Sequence, residues 1–198
     1  MVTNNRKQSF TIGIDEVGRG PIAGPVAVGA FVFLKPEAKK LFHGVKESKQ
    51  LSEQKREEWF VRIQSAQKSG LVNFCVTFQS EKVIDTKGLS YAIKTALLTS
   101  LYGVKIKPSQ AHVLLDGGLK APANYLHQKT IIKGDEKEMV IALASICAKV
   151  LRDRKMNTLA KKYPKYGFEE HKGYGTRGHY VAIKKYGVLS IHRKSFLK

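Results

Sequence analysis

Two apolar runs near the start of the chain, "SFTIGID" at residues 9–15 and "PVAVGAFVFL" at 25–34, are separated only by a Gly/Pro-rich turn. Their β-branched and aromatic side chains read as neighbouring strands. They commit the chain to a sheet before any helix has appeared. "VNFCVTF" at 72–78 reads as a third strand, and "AHVLLDGG" at 111–118 and "KTIIKGD" at 129–135 as two short later ones. Helical periodicity fills the intervals. "SEQKREEWFVRIQSAQKSG" at 52–70 opens on Ser52 as N-cap, stops at Gly70, and puts Trp59, Phe60, Ile63 and Ala66 on one face. "LSYAIKTALLTSLYG" at 89–103 turns Leu89, Ile93, Ala96 or Leu97, and Leu101 inward. Residues 138–163 are apolar on most sides at first and basic later, so this helix is expected to begin buried and emerge. Three early strands followed by alternating helix and strand predict an α/β fold with a mixed central sheet and flanking helices.

Charge narrows the function. The chain carries 35 Lys and Arg against 16 Asp and Glu, for a net charge of +19. Such an excess points to a polyanionic partner, most often nucleic acid. Residues 149–198 alone hold 14 basic and three acidic residues, and are expected to form a helical, basic, substrate-binding part. A length of 198 residues without repeat or linker suits a single domain spanning 1–198. Cys75 and Cys147 lie far apart in apolar company without zinc-ligand spacing, and are expected as buried free thiols in a reducing compartment. No signal core and no apolar run of membrane-span length occur, so a cytoplasmic, membrane-free monomer is expected.

In so basic a chain the placement of the acids is informative. Asp15 and Glu16 follow the first strand, Asp116 follows "HVLL", and Asp135 follows "TIIKG". Ligands of open α/β sheets collect beyond the carboxyl ends of strands. If these strands are sheet neighbours, four carboxylates converge, and mutual repulsion raises their pKa values unless a cation compensates. Oxygen ligands without His or Cys suit Mg²⁺ or Mn²⁺. A pair of such ions is recurrent machinery for phosphodiester cleavage. Any one of these acids alone would be an ordinary turn former, Asp116 before Gly117 especially; the coincidence at three strand ends is what carries weight.

"GRGPIAG" at 18–24 is either a plain glycine turn or a backbone that approaches a sugar-phosphate closely, since Gly removes the side-chain obstacle. "GYGTRG" at 173–178 matches a dinucleotide fingerprint in letters only, because no strand precedes it. His171, His179 and His192 lie in the basic part and are expected to be solvated or to contact phosphate. Two other classes fit the charge: a non-catalytic nucleic-acid binder, which has no use for converging acids, and a different two-metal nuclease such as a resolvase.

Taken together, "GIDEVGRGPIAGPV", "ESKQLSEQKR", "LLDGG", "IIKGD", "ALASICAKVLRD", "YPKYGFEEHKGYGTRGH" and "GVLSIHRKSF" resemble, in order, the motifs of bacterial ribonuclease HII. The resemblance runs over about residues 11 to 196. It implies the ribonuclease H-like fold and endonucleolytic cleavage of RNA in RNA–DNA hybrids, including a single ribonucleotide in duplex DNA. It also implies two Mn²⁺ or Mg²⁺ ions held by Asp15, Glu16, Asp116 and Asp135 as catalytic acids. Gly18, Arg19 and Gly20 match the loop that reads the ribose 2′-hydroxyl, and Tyr174 matches the tyrosine that packs on the neighbouring sugar. Lys49, Lys149, Lys172, Arg177, His192 and Arg193 are candidate phosphate contacts. Glu136, beside Asp135, departs from the family pattern and would add a fifth negative charge.

Overall fold

The computed structural model describes residues 9–46 and 48–197. Its strands are β1 (Phe10–Val17), β2 (Val26–Phe33), β3 (Val72–Gln79), β4 (Ala111–Asp116) and β5 (His127–Ile131), in the sheet order β3-β2-β1-β4-β5. β1 with β2 and β2 with β3 pair antiparallel, while β1 with β4 and β4 with β5 pair parallel. The sheet is mixed, as expected. β2 is buried at every position, which its unbroken apolar run "VAVGAFVF" requires of a strand covered on both faces.

The helices are α1 (Glu53–Lys68), α2 (Glu81–Lys87), α3 (Leu89–Gly103), α4 (Gly134–Lys137), α5 (Met139–Lys162), α6 (Phe168–His171) and α7 (Arg177–Tyr186). Ser52 caps α1 as predicted, its hydroxyl accepting from the Lys55 N–H at 3.2 Å. Phe60, Ile63 and Ala66 are buried, with Trp59 packed at the margin. On α3, Ile93, Ala96, Leu97 and Leu101 face the core, with Leu89 packed partly against it.

Each face of the sheet has its own apolar cluster. One joins α3 to β1, β2 and β4; the other joins α1 and α5 to β2 and β4. α5 lies unusually close to the strands. A Cβ at Gly13 would stand 2.2 Å from the Val140 carbonyl carbon, and one at Gly29 would stand 2.5 Å from the Ala144 oxygen. Absent side chains on two adjacent strands thus let the α5 backbone rest directly on the sheet. That contact brings Ser145 over the end of β1.

Several expectations change. Asp15 and Glu16 lie within the last residues of β1 rather than after it, and Asp116 is the last residue of β4. The fifth strand ends at Ile131, so Asp135 sits on α4 and not at a strand end. Lys133 takes a left-handed φ of 54°, which turns the chain out of the sheet before "GD". α2 was not expected from periodicity; its signals are the Ser80 hydroxyl at its N-terminus and Gly88 at its end. Cys147 is a buried free thiol, but Cys75 is only half-buried. Among the described residues no helix is long and apolar enough to cross a membrane.

Candidate active site

The parallel register of β1 and β4 pairs Ile14 with Leu115, so the next residues, Asp15 and Asp116, leave adjacent strands side by side. Asp116 in turn pairs with Ile131 at the end of β5. The Gly134 N–H donates to the Asp116 carboxylate at 2.6 Å, tying the α4 turn that carries Asp135 to the end of β4. Asp15, Glu16 and Asp116 line one cleft of about 240 Å³, with Gly18, Arg19, Gly20, Ser48, Lys49, Ser145, Lys149 and Tyr174 around them. Asp135 is buried behind its edge, 3.7 Å from the Lys49 ammonium. Glu136 turns away and pairs with Lys133 at 3.1 Å.

The electrostatics are those of an under-neutralised site. Burial pushes the Asp15 carboxyl up to about 8, and the charges of Glu16, Asp116 and Asp135 push in the same direction against a hydrogen bond from Ser145. Burial also raises Glu16, against the neighbouring Arg19 guanidinium, which donates to it at 2.9 Å. The second Glu16 oxygen is buried and accepts no hydrogen bond. Among the described residues no three acidic, histidine or cysteine side chains already stand at the spacing that holds a metal ion. The acids converge on one cleft without closing into a cage.

Two sequence blocks, around Ser48 and around Ser145, act as scaffolding here, which residue type alone did not reveal. The Ser48 and Ser145 hydroxyls meet at 2.8 Å, fixing the "SKQ" turn to α5 and setting Lys49 over the acids. Arg56 donates to the Ser48 and Leu51 carbonyls and lies 3.8 Å from Asp153, whose carboxylate also takes both hydrogen bonds of Lys149. Lys149 therefore lines the cleft as half of an ion pair.

The basic part differs most from expectation. Arg193 and His192 are enclosed, at 0% and 1% exposure, so the phosphate contacts expected of them are not available. Arg193 donates to the carbonyls of Gly18, Arg19 and Gly24 instead. Lys172 is also buried, its ammonium bonded to Asn157 and to the Glu169 carbonyl. His179 and His192 are not solvated or phosphate-facing but enclosed against Phe168 and Tyr166 of a third apolar cluster, while the half-buried His171 stacks on His179. One set of neutral tautomers satisfies the three shortest contacts of His179 and His192 together, leaving out the longer approach of His192 Nδ1 to the Leu189 carbonyl at 3.3 Å. The Leu189 N–H donates to His192 Nδ1, His192 Nε2–H donates to His179 Nε2 at 3.0 Å, and His179 Nδ1–H donates to the Tyr174 carbonyl at 2.9 Å. Burial drives His179 down to about 4 and lowers His192, in keeping with neutral rings. The relay holds the backbone of Tyr174, whose ring stays 46% exposed at the cleft. Lys49 and Arg177 keep exposed side chains.

The sequence model of ribonuclease HII matches residues 12–198. This chain belongs to the ribonuclease HII family. The family's Caldicellulosiruptor bescii ribonuclease HII is 42% identical over 194 residues, covering 98% of this chain and 89% of that one. The Bacillus cytotoxicus ribonuclease HII is 45% identical over 193 residues, covering 96% of this chain and 70% of the longer relative. Among solved structures, ribonuclease H2 from Pyrococcus horikoshii superposes with a TM-score of 0.74 at 25% identity, covering 94% of this chain and 93% of that one. Ribonuclease HII from Archaeoglobus fulgidus, solved with PCNA, gives 0.74 at 24% identity, covering 96% of each chain. The resemblance and the ribonuclease H-like fold expected from the motifs are therefore borne out. The chain is an endonuclease of ribonuclease H type.

Proposed function

We propose that this ribonuclease HII is a divalent-metal-dependent enzyme that cleaves the RNA strand of RNA–DNA hybrids. On duplex DNA it cuts at the 5′ side of a single embedded ribonucleotide, leaving 3′-hydroxyl and 5′-phosphate ends. The observation that carries this reading is the convergence of Asp15, Glu16 and Asp116 on one cleft shared with a glycine loop and Tyr174, where burial and the neighbouring acids push the Asp15 carboxyl up to about 8. A polyanionic substrate would worsen that repulsion. A cation relieves it.

The donors fit Mg²⁺ or Mn²⁺: all are carboxylate oxygens, and one buried Glu16 oxygen lacks a partner. A ribonuclease HIII solved with Mn²⁺ shares the fold at a TM-score of 0.67 and 20% identity. Asp15 and Asp116 would be the principal ligands, with Glu16 and Asp135 completing the set. Bound there, two ions supply Lewis-acid polarisation of the scissile phosphate and a nucleophilic water at neutral pH.

The chain's own residues do the positioning. Ser145 steadies Asp15, and the Gly134 N–H steadies Asp116. Gly18, Arg19 and Gly20 face the ribose, whose 2′-hydroxyl is the sugar group that separates RNA from DNA. The exposed Tyr174 ring lies against the adjoining sugar and favours one without a hydroxyl. Lys49 and Arg177 contact flanking phosphates. The whole chain acts as one catalytic domain. The test is cleavage mapping on a single-ribonucleotide duplex and an all-deoxy duplex, with Mg²⁺ and Mn²⁺ in turn. One cut, 5′ to the ribonucleotide, is expected. Equal cleavage of the all-deoxy duplex would instead indicate a structure-selective nuclease.

A further inference from the structure

Two guanidiniums lie beneath the glycine loop, Arg152 and Arg193, both at 0% exposure. Their partners are carbonyls. Arg152 donates to Pro25 at 3.0 Å and to Lys172 at 3.1 Å. Arg193 uses all three nitrogens: Nε to Gly24 at 2.9 Å, Nη1 to Arg19 at 2.9 Å and Nη2 to Gly18 at 2.7 Å. Burying a cation among neutral oxygens is costly, and an apolar side chain would fill the space without that cost. Packing alone therefore does not account for Arg193.

Peptide geometry shows what it achieves. A trans peptide is planar, with its C=O and N–H directed to opposite sides. Holding the Gly18 carbonyl on Arg193 turns the Arg19 N–H the other way, and holding the Arg19 carbonyl does the same for the Gly20 N–H. Arg193 is enclosed beneath, so the other way is the cleft side, which Gly18, Arg19 and Gly20 line. Neither N–H has an acceptor among the described residues. Gly18 is held at φ 94°, and a Cβ there would lie 2.2 Å from Arg152 Nε. The two arginines together leave the loop one conformation.

The segment carrying Arg193 is itself fastened from outside. The Arg193 N–H donates to Ile22 and the Gly24 N–H to Ile191, both at 2.8 Å. Beyond it, Asp85 on α2 accepts from the N–H groups of Lys194 and Ser195 and from the Ser195 hydroxyl.

We propose that Arg193 is a positioning residue for ribose recognition: through the Gly18 and Arg19 carbonyls it aims two adjacent backbone N–H donors into the cleft, and Asp85 latches the segment that carries it. This rests on the reading that the loop senses the ribose. Without Arg193 either peptide can flip, presenting a carbonyl where the substrate hydroxyl needs a donor.

The test compares Arg193→Gln, Arg193→Lys and Asp85→Asn with the parent on single-ribonucleotide and all-deoxy duplexes, well below every melting temperature. Misaligned donors should lower kcat of Arg193→Gln about 100-fold, while KM stays within about 3-fold because phosphate contacts remain. Arg193→Lys should fall between Gln and parent, and Asp85→Asn should lower kcat less, without touching the cleft. If the parent discriminates ribose yet folded Arg193→Gln keeps its kcat, Arg193 is merely structural and the proposal fails. Should Arg193→Gln not fold, parental kcat in both other variants overturns it. A parent that ignores the sugar overturns the function reading first, and this inference with it.

Discussion

The acidic cleft and the basic C-terminal part use charge in opposite ways. Acids are scarce in this chain, yet three of them line one cleft, where burial pushes Asp15 and Glu16 up despite Arg19, Lys49 and Lys149 on the same walls. Cations are abundant, yet Arg152 and Arg193 are spent inside on carbonyls, and Lys172 on a carbonyl, an amide and the Glu53 carboxylate at 3.6 Å. Ion count in a sequence is therefore a poor guide to where free charge resides. What matters is whether the fold supplies a partner. At the cleft the partners leave Asp15 and Glu16 raised and one Glu16 oxygen bare, whereas beneath the glycine loop every nitrogen of the Arg193 guanidinium finds a carbonyl.

The sharpest way to break this comparison is to remove one of the clustered acids. Asp116→Asn should lower metal-dependent cleavage by about 10³-fold or more, the scale of losing a preorganised electrostatic contact. Its melting temperature without metal should stay level or rise, because a like charge is gone. Loss of stability with unchanged turnover would make this acid structural. The same logic predicts that Mg²⁺ at 100 times its dissociation constant stabilises the parent by about 2.7 kcal/mol, and Asp116→Asn by clearly less. Thermal melts with and without the ion check this.

On the other side, Arg193→Met should destabilise by about 3 kcal/mol, since it strands three loop carbonyls. Denaturant titration measures it, and a change under about 1 kcal/mol would mean that the three carbonyls find other donors without Arg193.

The histidine relay gives a pH signature. The unfolded His179 titrates near 6.5, whereas the folded ring stands near 4. Between those values the unfolded state binds more protons, so stability falls as pH drops from 6.5 towards 4 and levels off below. The loss should be on the order of 3 kcal/mol, and His179→Gln should flatten that stretch of the melting-temperature curve. A flat parental curve there would mean that the rings are already charged.

The smallest effect distinguishes the exposed cation from the buried one. Arg177→Gln should alter stability by no more than about 0.5 kcal/mol, while reducing the log–log salt slope of binding by about 0.9 if one phosphate is lost. Lys172→Gln should do the reverse. Salt-titrated binding of both variants decides whether burial sorts these residues correctly.

The sequence by itself determined the strands, the three longer helices and the grouping of acids near the sheet's end, because those depend on local periodicity and on where apolar runs stop. It also carried the family, whose motifs span the chain. Several things needed the tertiary structure. The parallel register of β1 on β4 sets Asp15 beside Asp116, and no local pattern encodes which strands become neighbours. Asp135 left its expected strand end because a left-handed Lys133 and a hydrogen bond from Gly134 to Asp116 formed α4 there. His192, Arg193 and Lys172 looked like surface cations because residue type and charge are read one position at a time. Arg193 meets Gly18 across 175 residues of chain, Lys172 and His192 bond to Asn157 and His179 at 15 and 13, and a backbone carbonyl reads the same at every position in the sequence. Only the fold decides which backbone oxygens are left wanting a donor.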